Sequence, residues 1–307
     1  MAVSVGIAMI EPDELSAAEP IRRADVAMYK AKSSHTGIEF YEPGVDRRTP
    51  ERLSMFGDLR SALESGELDI VYQPKMDLRS ETIVGVEALV RWTHEEWAVV
   101  TPSTLVRLAE ETGLIKQLTN LVLARGIAAL RSFHDRGHHL GLAVNLSAHD
   151  LLDDGLADSV ASFLMTHGID PSLLTLEITE SSLLNSQRTR STIDDLRRVG
   201  VSLSIDDYGT GYSSLSYLHE LPVRELKIDR SFVANVLVNE QDKVIVKSTI
   251  DLGHNLGLEV VAEGVENGEV LEQLREFGCD VVQGFDISRP LPPAQLIAWL
   301  DNTVVPS

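Results

Sequence analysis

Seven apolar, strand-like runs in this chain each finish on a residue that can hold a metal ion or move a proton. Thr82–Val86 ends on Glu87, Leu140–Val144 on Asn145, Leu173–Leu176 on Glu177, and Val201–Ile205 on Asp206 and Asp207. Arg224–Leu226 ends on Lys227, Leu258–Ala262 on Glu263, and Cys279–Val282 on Gln283. Amphipathic stretches of helical length separate them, and an alternation of strand and helix predicts a parallel sheet. A polar group at the C-terminal end of every strand makes a (β/α)8 TIM-type barrel the economical closure, because such barrels build their sites at that end. So many carboxylates on one rim call for cations.

The 307 residues suit a barrel, for which roughly 250 residues are routine. Cys279 is the only cysteine, which excludes a disulfide framework and points to a reducing compartment. Its setting, Gly278 and Asp280-Val281-Val282, reads as a strand entrance and hence a buried structural thiol. The apolar N-terminus, Met1–Ile10, is short, lacks a positive segment and runs into Glu11, Asp13 and Glu14, so it does not read as a signal peptide. No run reaches the roughly 20 apolar residues of a membrane span. A cytoplasmic protein is expected. The net charge of −20, from 27 basic and 47 acidic residues, argues against nucleic-acid polymers and anionic membranes as partners. A small anionic ligand stays possible if metal ions and local cations such as Arg91 and Lys227 offset the repulsion.

Along the chain, residues 3–8, 18–32 and 37–41 read as strand, helix and strand, too small for a sheet core of their own. Segment 42–50 holds two prolines and a glycine and reads as a linker, with the domain boundary at 46–50. From residue 51 onward, elements alternate almost without a break. Leu53–Glu64 reads as a helix, and Leu68–Gln73 and Val84–Trp92 follow as strands. The gap between those two strands is too short for a helical crossover, so the barrel is expected to carry one antiparallel strand. Helices are expected at Pro102–Thr112, Leu114–His134, Ala148–His167, Ser186–Val199, Gly211–His219, Asp229–Val236, Glu240–Leu256, Asn267–Phe277 and Pro293–Leu300.

Glu87, Asn145, Glu177 and Asp206 are hard oxygen donors, suited to Mg2+ or Mn2+ rather than zinc. None of the nine histidines has zincin spacing, and His138-His139 reads as a solvated pair in a turn. Asp206-Asp207 could bridge two cations about 3.5–4 Å apart, the arrangement for phosphoryl displacement; it could equally open a turn or cap a helix. Gly209-x-Gly211-x-x-Ser214 lacks the third glycine of a phosphate loop. Lys227, inside an apolar strand, must have partners. Glu263 could act as base or ligand, whereas Glu266 also suits a helix N-terminus. Glu180, three residues past Glu177, is badly placed to share an ion. It is expected to anchor the glycine-rich segment 207–213 through backbone N–H groups or Thr210.

Read together, the motifs resemble those of the EAL-domain cyclic di-GMP phosphodiesterases: Tyr72-Gln73-Pro74, Glu87-Ala88-Leu89 with Val90-Arg91-Trp92, Asn145-Leu146-Ser147 and Glu177-Ile178-Thr179-Glu180. The series continues through Asp206-Asp207-Tyr208-Gly209-Thr210-Gly211, Leu226-Lys227-Ile228-Asp229, Ala262-Glu263-Gly264-Val265-Glu266 and Gln283-Gly284-Phe285. A single tripeptide carries little, whereas the ordered set across residues 51–305 is specific. The resemblance implies metal-dependent hydrolysis of cyclic di-GMP to linear 5′-pGpG in bacterial second-messenger signalling. It implies two divalent ions, one held by Glu87, Asn145, Glu177 and Asp206, the second by Asp206 and Asp207. It also implies Lys227 and Glu263 beside the attacking water, Gln283 and Glu266 in support, and Gln73, Leu89 and Arg91 on the substrate. A homodimer paired near 206–215 is expected from the same source. Tyr208 replaces the usual Phe, Phe285 a common Tyr, and Thr93–Ala98 lacks the usual Pro and Gly.

Residues 1–45 resemble the last strand–helix–strand of a GGDEF diguanylate cyclase domain without its catalytic motif, which implies no cyclase chemistry there. The expected organisation is therefore a remnant at 1–45, a linker at 46–50 and the EAL domain at 51–307. Two rivals remain open at this level: a ligand-binding module without turnover, and an enolase-type barrel enzyme, which also uses carboxylates and lysine at strand ends.

Overall fold

The structure, a computed structural model, describes residues 5–9, 20, 21, 23, 24, 27, 28, 31, 37–41, 49–94, 98–183, 187–209 and 221–302. The chain divides into two compact units, Met1–Glu67 with Arg107–Leu114, and Leu68–Val106 with Ile115–Ser307.

In the first unit, β1 (Val5–Ile7) and β2 (Ile38–Phe40) pair in parallel, Val5 opposite Ile38. A parallel pair needs a crossover, and Ala24, Ala27 and Ala31 between them are helical, the last two buried. This is the expected strand–helix–strand. The next helix runs Thr49–Ser65, earlier than the expected Leu53. Pro50 sits in its first turn, where a missing N–H leaves no intrahelical bond unmade. The end of the expected linker is thus helical, and residues 42–48 lie outside the described residues.

The second unit holds the barrel. β3 (Asp69–Asp77) and β4 (Thr82–His94) form a hairpin, as the short spacing predicted, with Gln73 opposite Glu87. Asp77 fixes the turn by accepting hydrogen bonds from the backbone N–H of Arg79 and Ser80 at 3.1 and 2.6 Å. β6 (Gly141–Leu146), β7 (Leu174–Thr179), β8 (Ser202–Tyr208), β9 (Glu225–Ile228), β10 (Glu259–Glu263) and β11 (Val281–Gln283) complete the ring. The order is β3-β11-β10-β9-β8-β7-β6-β4, closed by β3 on β4, and β3 is antiparallel to both its neighbours. The modified barrel with one antiparallel strand is what forms.

Three details differ from the sequence reading. Glu87 lies mid-strand, because β4 stays paired with β3 as far as Arg91 and then with β5 (Ala98–Val100). The expected helix Ala148–His167 is broken into a turn of 3-10 helix at Asp150–Leu152 and a helix at Leu156–His167. Asp150 causes the break: it is buried and accepts from Ser147 N–H at 2.8 Å and Thr119 Oγ1 at 2.9 Å, competing with regular helix bonds. The expected helix at 229–236 shortens to Arg230–Val233, capped by Asp229 on Ser231 N–H. The helix expected at Gly211–His219 lies outside the described residues. No helix among the described residues is long and apolar enough to cross a membrane.

Strand alternation sorts the residues of the ring. Ile228, Val260, Ala262 and Val282 face outward and are buried with Val246, Ile250, Val270 and Leu274 of the surrounding helices. Lys75, Glu177, Ser204, Glu225 and Lys227 are buried as well, on the opposite, inner face. The barrel is therefore apolar outside and polar within.

Cys279 belongs to that outer core, and burial, reinforced by Asp280, pushes its thiol up to about 12. The thiolate is the reactive form, so native protein at pH 8 is expected to resist a chromogenic disulfide reagent and to react fully in guanidinium. Native labelling within minutes would contradict this packing.

Candidate active site

The buried carboxylates of the rim find donors from neighbouring strands. Asn145 Nδ2 donates to Glu87 Oε1 at 2.6 Å, and Gln283 Nε2 to Glu87 Oε2 at 2.5 Å. Gln283 Nε2 also donates to Gln73 Oε1 at 3.2 Å. Burial raises the Glu87 carboxyl above its ordinary value, opposed by Lys227 and reinforced by Glu177.

Lys227 sits at the centre. It is fully buried, and its Nζ lies 2.7 Å from Glu177 Oε2, 3.1 Å from Asp206 Oδ1 and 2.5 Å from Glu263 Oε1. All three contacts are ion pairs with carboxylates, and the one to Glu177 is also a hydrogen bond. Burial works against its charge, but those carboxylates and Glu87 outweigh it and hold Lys227 protonated. Glu177 takes a second lysine, Lys75 Nζ on Oε1 at 2.7 Å. Burial would raise its carboxyl; the two lysines win and bring it down to about 2.

Asp206 and Asp207 sit in a β-bulge. β8 pairs Ile205 with Leu226 and then Tyr208 with Ile228, so the aspartates fill one residue more than the partner strand offers. Asp207 takes the left-handed conformation, φ 55°, and its N–H donates to Asp206 Oδ1 at 3.0 Å. In a regular strand the two side chains would point to opposite faces; the bulge turns them together. Oxygens of Asp206, Asp207 and Glu263 lie within 4.8 Å of one another. Burial, then Asp206 and Asp229, pushes Asp207 up to about 6. Burial, opposed by Lys227 and reinforced by Asp206 and Glu87, pushes Glu263 up to about 8. Converging carboxylates that favour protonation mark an excess of negative charge which a cation would relieve, and the acidic cluster can hold a metal ion. Glu263 joins the aspartates in this group, beyond the Asp206–Asp207 pair of the sequence reading.

The rim opens into a cavity of about 550 Å3 lined by Gln73, Glu87, Leu89, Arg91, Asp206, Glu263 and Gln283. Arg230, Glu266, Phe285 and Arg289 line it too, and Arg289 lies 4.4 Å over the Phe285 ring. Glu266 is an exposed wall residue paired with Arg230 at 2.7 Å, away from the carboxylate centre. Sequence reasoning gave no role to Lys75, Glu225, Arg230 or Arg289. For Lys75 the signal was present: it is a lysine in an apolar strand, as Lys227 is.

Glu180 begins a turn of 3-10 helix (Glu180–Leu183), is buried, and accepts from Gly209 N–H at 3.2 Å. The expected loop contact is thus made at Gly209, while Thr210 lies outside the described residues. Gly209 needs its identity, with φ 97° and the Phe232 ring 3.2 Å from where a Cβ would stand. Glu180→Ala is expected to lower turnover and metal affinity by roughly 10- to 100-fold, the cost of losing outer support, with little change in the melting temperature of metal-free protein. Parental turnover and metal dependence would make Glu180 a bystander.

Comparison with known proteins follows the same residues. The EAL domain matches residues 57–290. The chain is 42% identical over 301 residues to the bifunctional diguanylate cyclase/cyclic di-GMP phosphodiesterase MucR of Pseudomonas aeruginosa, covering 97% of this chain and 44% of MucR. It is 40% identical over 303 residues to the cyclic di-GMP phosphodiesterase NbdA of the same organism, covering 98% of this chain and 39% of NbdA. The chain thus spans less than half the length of these relatives. A solved structure of the PaMucR phosphodiesterase in complex with c-di-GMP superposes with a TM-score of 0.76 at 43% identity, over 79% of this chain and 99% of that one. With its motifs, its barrel and this match, the chain belongs to the EAL-domain family.

Proposed function

We propose that the chain hydrolyses cyclic di-GMP to linear 5′-pGpG. The observation that carries this is the oxygen-rich rim over Lys227, which opens into a cavity that also presents Arg91, Arg230 and Arg289. A cyclic dinucleotide needs both halves, a charge-handling centre at its phosphorus and a wall for the rest. Two divalent ions, Mg2+ or Mn2+, fit the donors: Glu87, Asn145, Glu177 and Asp206 for one, Asp206 and Asp207 for the other. Such ions, when bound, supply an activated water and offset phosphate charge.

The remaining work falls to the protein. Gln73, Leu89 and Arg91 seat the dinucleotide so that one phosphorus faces the rim. Glu263 takes the proton of the attacking water. The water oxygen bonds to phosphorus, the P–O3′ bond breaks, and the 3′ oxygen leaves as a hydroxyl on taking up a proton from solvent, while Glu263 later returns the proton it took to solvent. Lys227 keeps Glu177, Asp206 and Glu263 in register and opposes charge growing at the phosphate.

Residues 1–45 belong to this reading as the tail of a cyclase-type domain, 46–50 as a connection and 51–307 as the hydrolase. A cytoplasmic site of action and a homodimer paired near 206–215 complete it, although 210–215 lie outside the described residues. The test is to incubate purified protein with cyclic di-GMP and Mg2+ or Mn2+ and to chromatograph the products, with GTP in parallel. Linear pGpG that disappears with chelator, and no cyclic di-GMP from GTP, are expected. Binding without turnover would replace the hydrolase with a sensor.

A further inference from the structure

We propose that Lys75 is a positioning residue for this centre, holding the Glu177 carboxylate from the far side of the barrel with Glu225 as its counter-charge. The proposal deepens the reading above and rests on Glu177 as a cation ligand. Lys75 lies on β3, which is not a neighbour of β7, so its side chain crosses the interior to reach Glu177. Its Nζ is 2.7 Å from Glu177 Oε1 and 3.3 Å from Glu225 Oε1, and Lys75 is 5% exposed. Glu177 is 0% exposed and gives its other oxygen to Lys227. The carboxylate plane is thus clamped by two ammonium groups from different strands.

Lys75 does not touch the reaction. It lines a separate cavity of about 220 Å3, together with Gly141, Thr175, Glu225, Glu259 and Val281. Several of these open their strands, which places that cavity at the mouth opposite the site. Lys75 therefore acts through Glu177. Without it, Glu177 is free to turn wholly onto Lys227, and the share of that ammonium left for Asp206 and Glu263 falls. The same strand that departs from the regular barrel by running antiparallel supplies this support.

The test compares the parent with Lys75→Met and with Lys75→Met/Glu225→Leu; the second removes the carboxylate left unpaired, a swap buried ion pairs often tolerate. Mn2+ binding is followed by titration calorimetry, kcat and KM for cyclic di-GMP are measured separately, and thermal unfolding is recorded. Expected is a loss of roughly 10- to 100-fold in Mn2+ affinity and in kcat in both variants, with KM little changed and the double variant melting near the parent. A purely structural role would lower the melting temperature and leave Mn2+ affinity and kcat of the folded protein at parental values, and that result overturns the proposal. Failure of both variants to fold overturns it too, since Lys75 would then be a stability element. A parent that binds Mn2+ without hydrolysis defeats the hydrolase reading alone, and the Mn2+ titration still decides Lys75. A parent that binds no Mn2+ defeats both.

Discussion

Asp206→Asn is expected to reduce hydrolysis of cyclic di-GMP by roughly 1,000-fold or more, with the far-ultraviolet circular dichroism of the parent. The reason lies in how many interactions meet at one carboxylate. Asp206 Oδ1 faces Lys227 Nζ at 3.1 Å and accepts from Asp207 N–H at 3.0 Å, while Asp206 shares the acidic cluster with Asp207 and Glu263. An amide keeps the volume and, through its Oδ1, the hydrogen bond from Asp207 N–H that closes the bulge, so the bulge and the barrel survive. It removes the negative charge from the only position that both expected ion sites share. Stabilisation of the protein by added Mn2+ is therefore expected to fall with activity. Near-parental hydrolysis in Asp206→Asn, or in excess chelator, would end the two-ion assignment.

The candidate site was legible in the sequence to a definite depth. Glu87, Asn145, Glu177, Asp206, Lys227, Glu263 and Gln283 stood out because each follows an apolar run, and a strand of a barrel carries its polar end residues to one rim. The structure gathers them into two bonded groups, Glu87 with Asn145 and Gln283 and Lys227 with Glu177, Asp206 and Glu263, and members of both line one cavity. The hairpin β3–β4 was legible for an equally simple reason, since so few residues cannot hold a crossover. What one chain of letters does not show is which residues of non-neighbouring strands meet inside the ring. Lys75 and Glu177 are 102 positions apart, and their contact depends on barrel closure and on the register of every strand between them.

The bulge at Asp206-Asp207 escaped for a related reason. It is defined by a count against the partner strand, three steps from Ile205 to Tyr208 facing two from Leu226 to Ile228. Two adjacent aspartates suggest a shared ion, but only the mismatch explains how both can face it. Most of β4 was legible as the strand Val84–Trp92; pairing with β3 and β5 extends it to Thr82–His94, so Glu87, which closes the apolar run Thr82–Val86, lies mid-strand rather than at a strand end. Helix limits moved where one side chain competes for backbone bonds, as Asp150 does at Ser147.

The polar interior sets up the other large effect. Lys227→Met is expected to lower unfolding stability by about 3–5 kcal/mol and to abolish turnover. Methionine fills nearly the same space and is at home in a core, so the loss is not one of packing. It comes from Glu177, Asp206 and Glu263, which each lose the counter-charge at 2.7, 3.1 and 2.5 Å inside the ring. Lys75 remains for Glu177 alone, and it is shared with Glu225. A buried charge left without its partner costs far more than the intact pair contributed. Adding Glu177→Gln to Lys227→Met removes one of the uncompensated charges and should recover about 0.5–3 kcal/mol, the range of coupling between residues in contact. Urea unfolding of the parent, the two single variants and the double variant closes that cycle. A Lys227→Met protein within about 1 kcal/mol of the parent, the ordinary cost of a substitution, would mean that the barrel tolerates its carboxylates without an ammonium. A cycle with no coupling would mean that Lys227 and Glu177 do not support each other as their distance says they do.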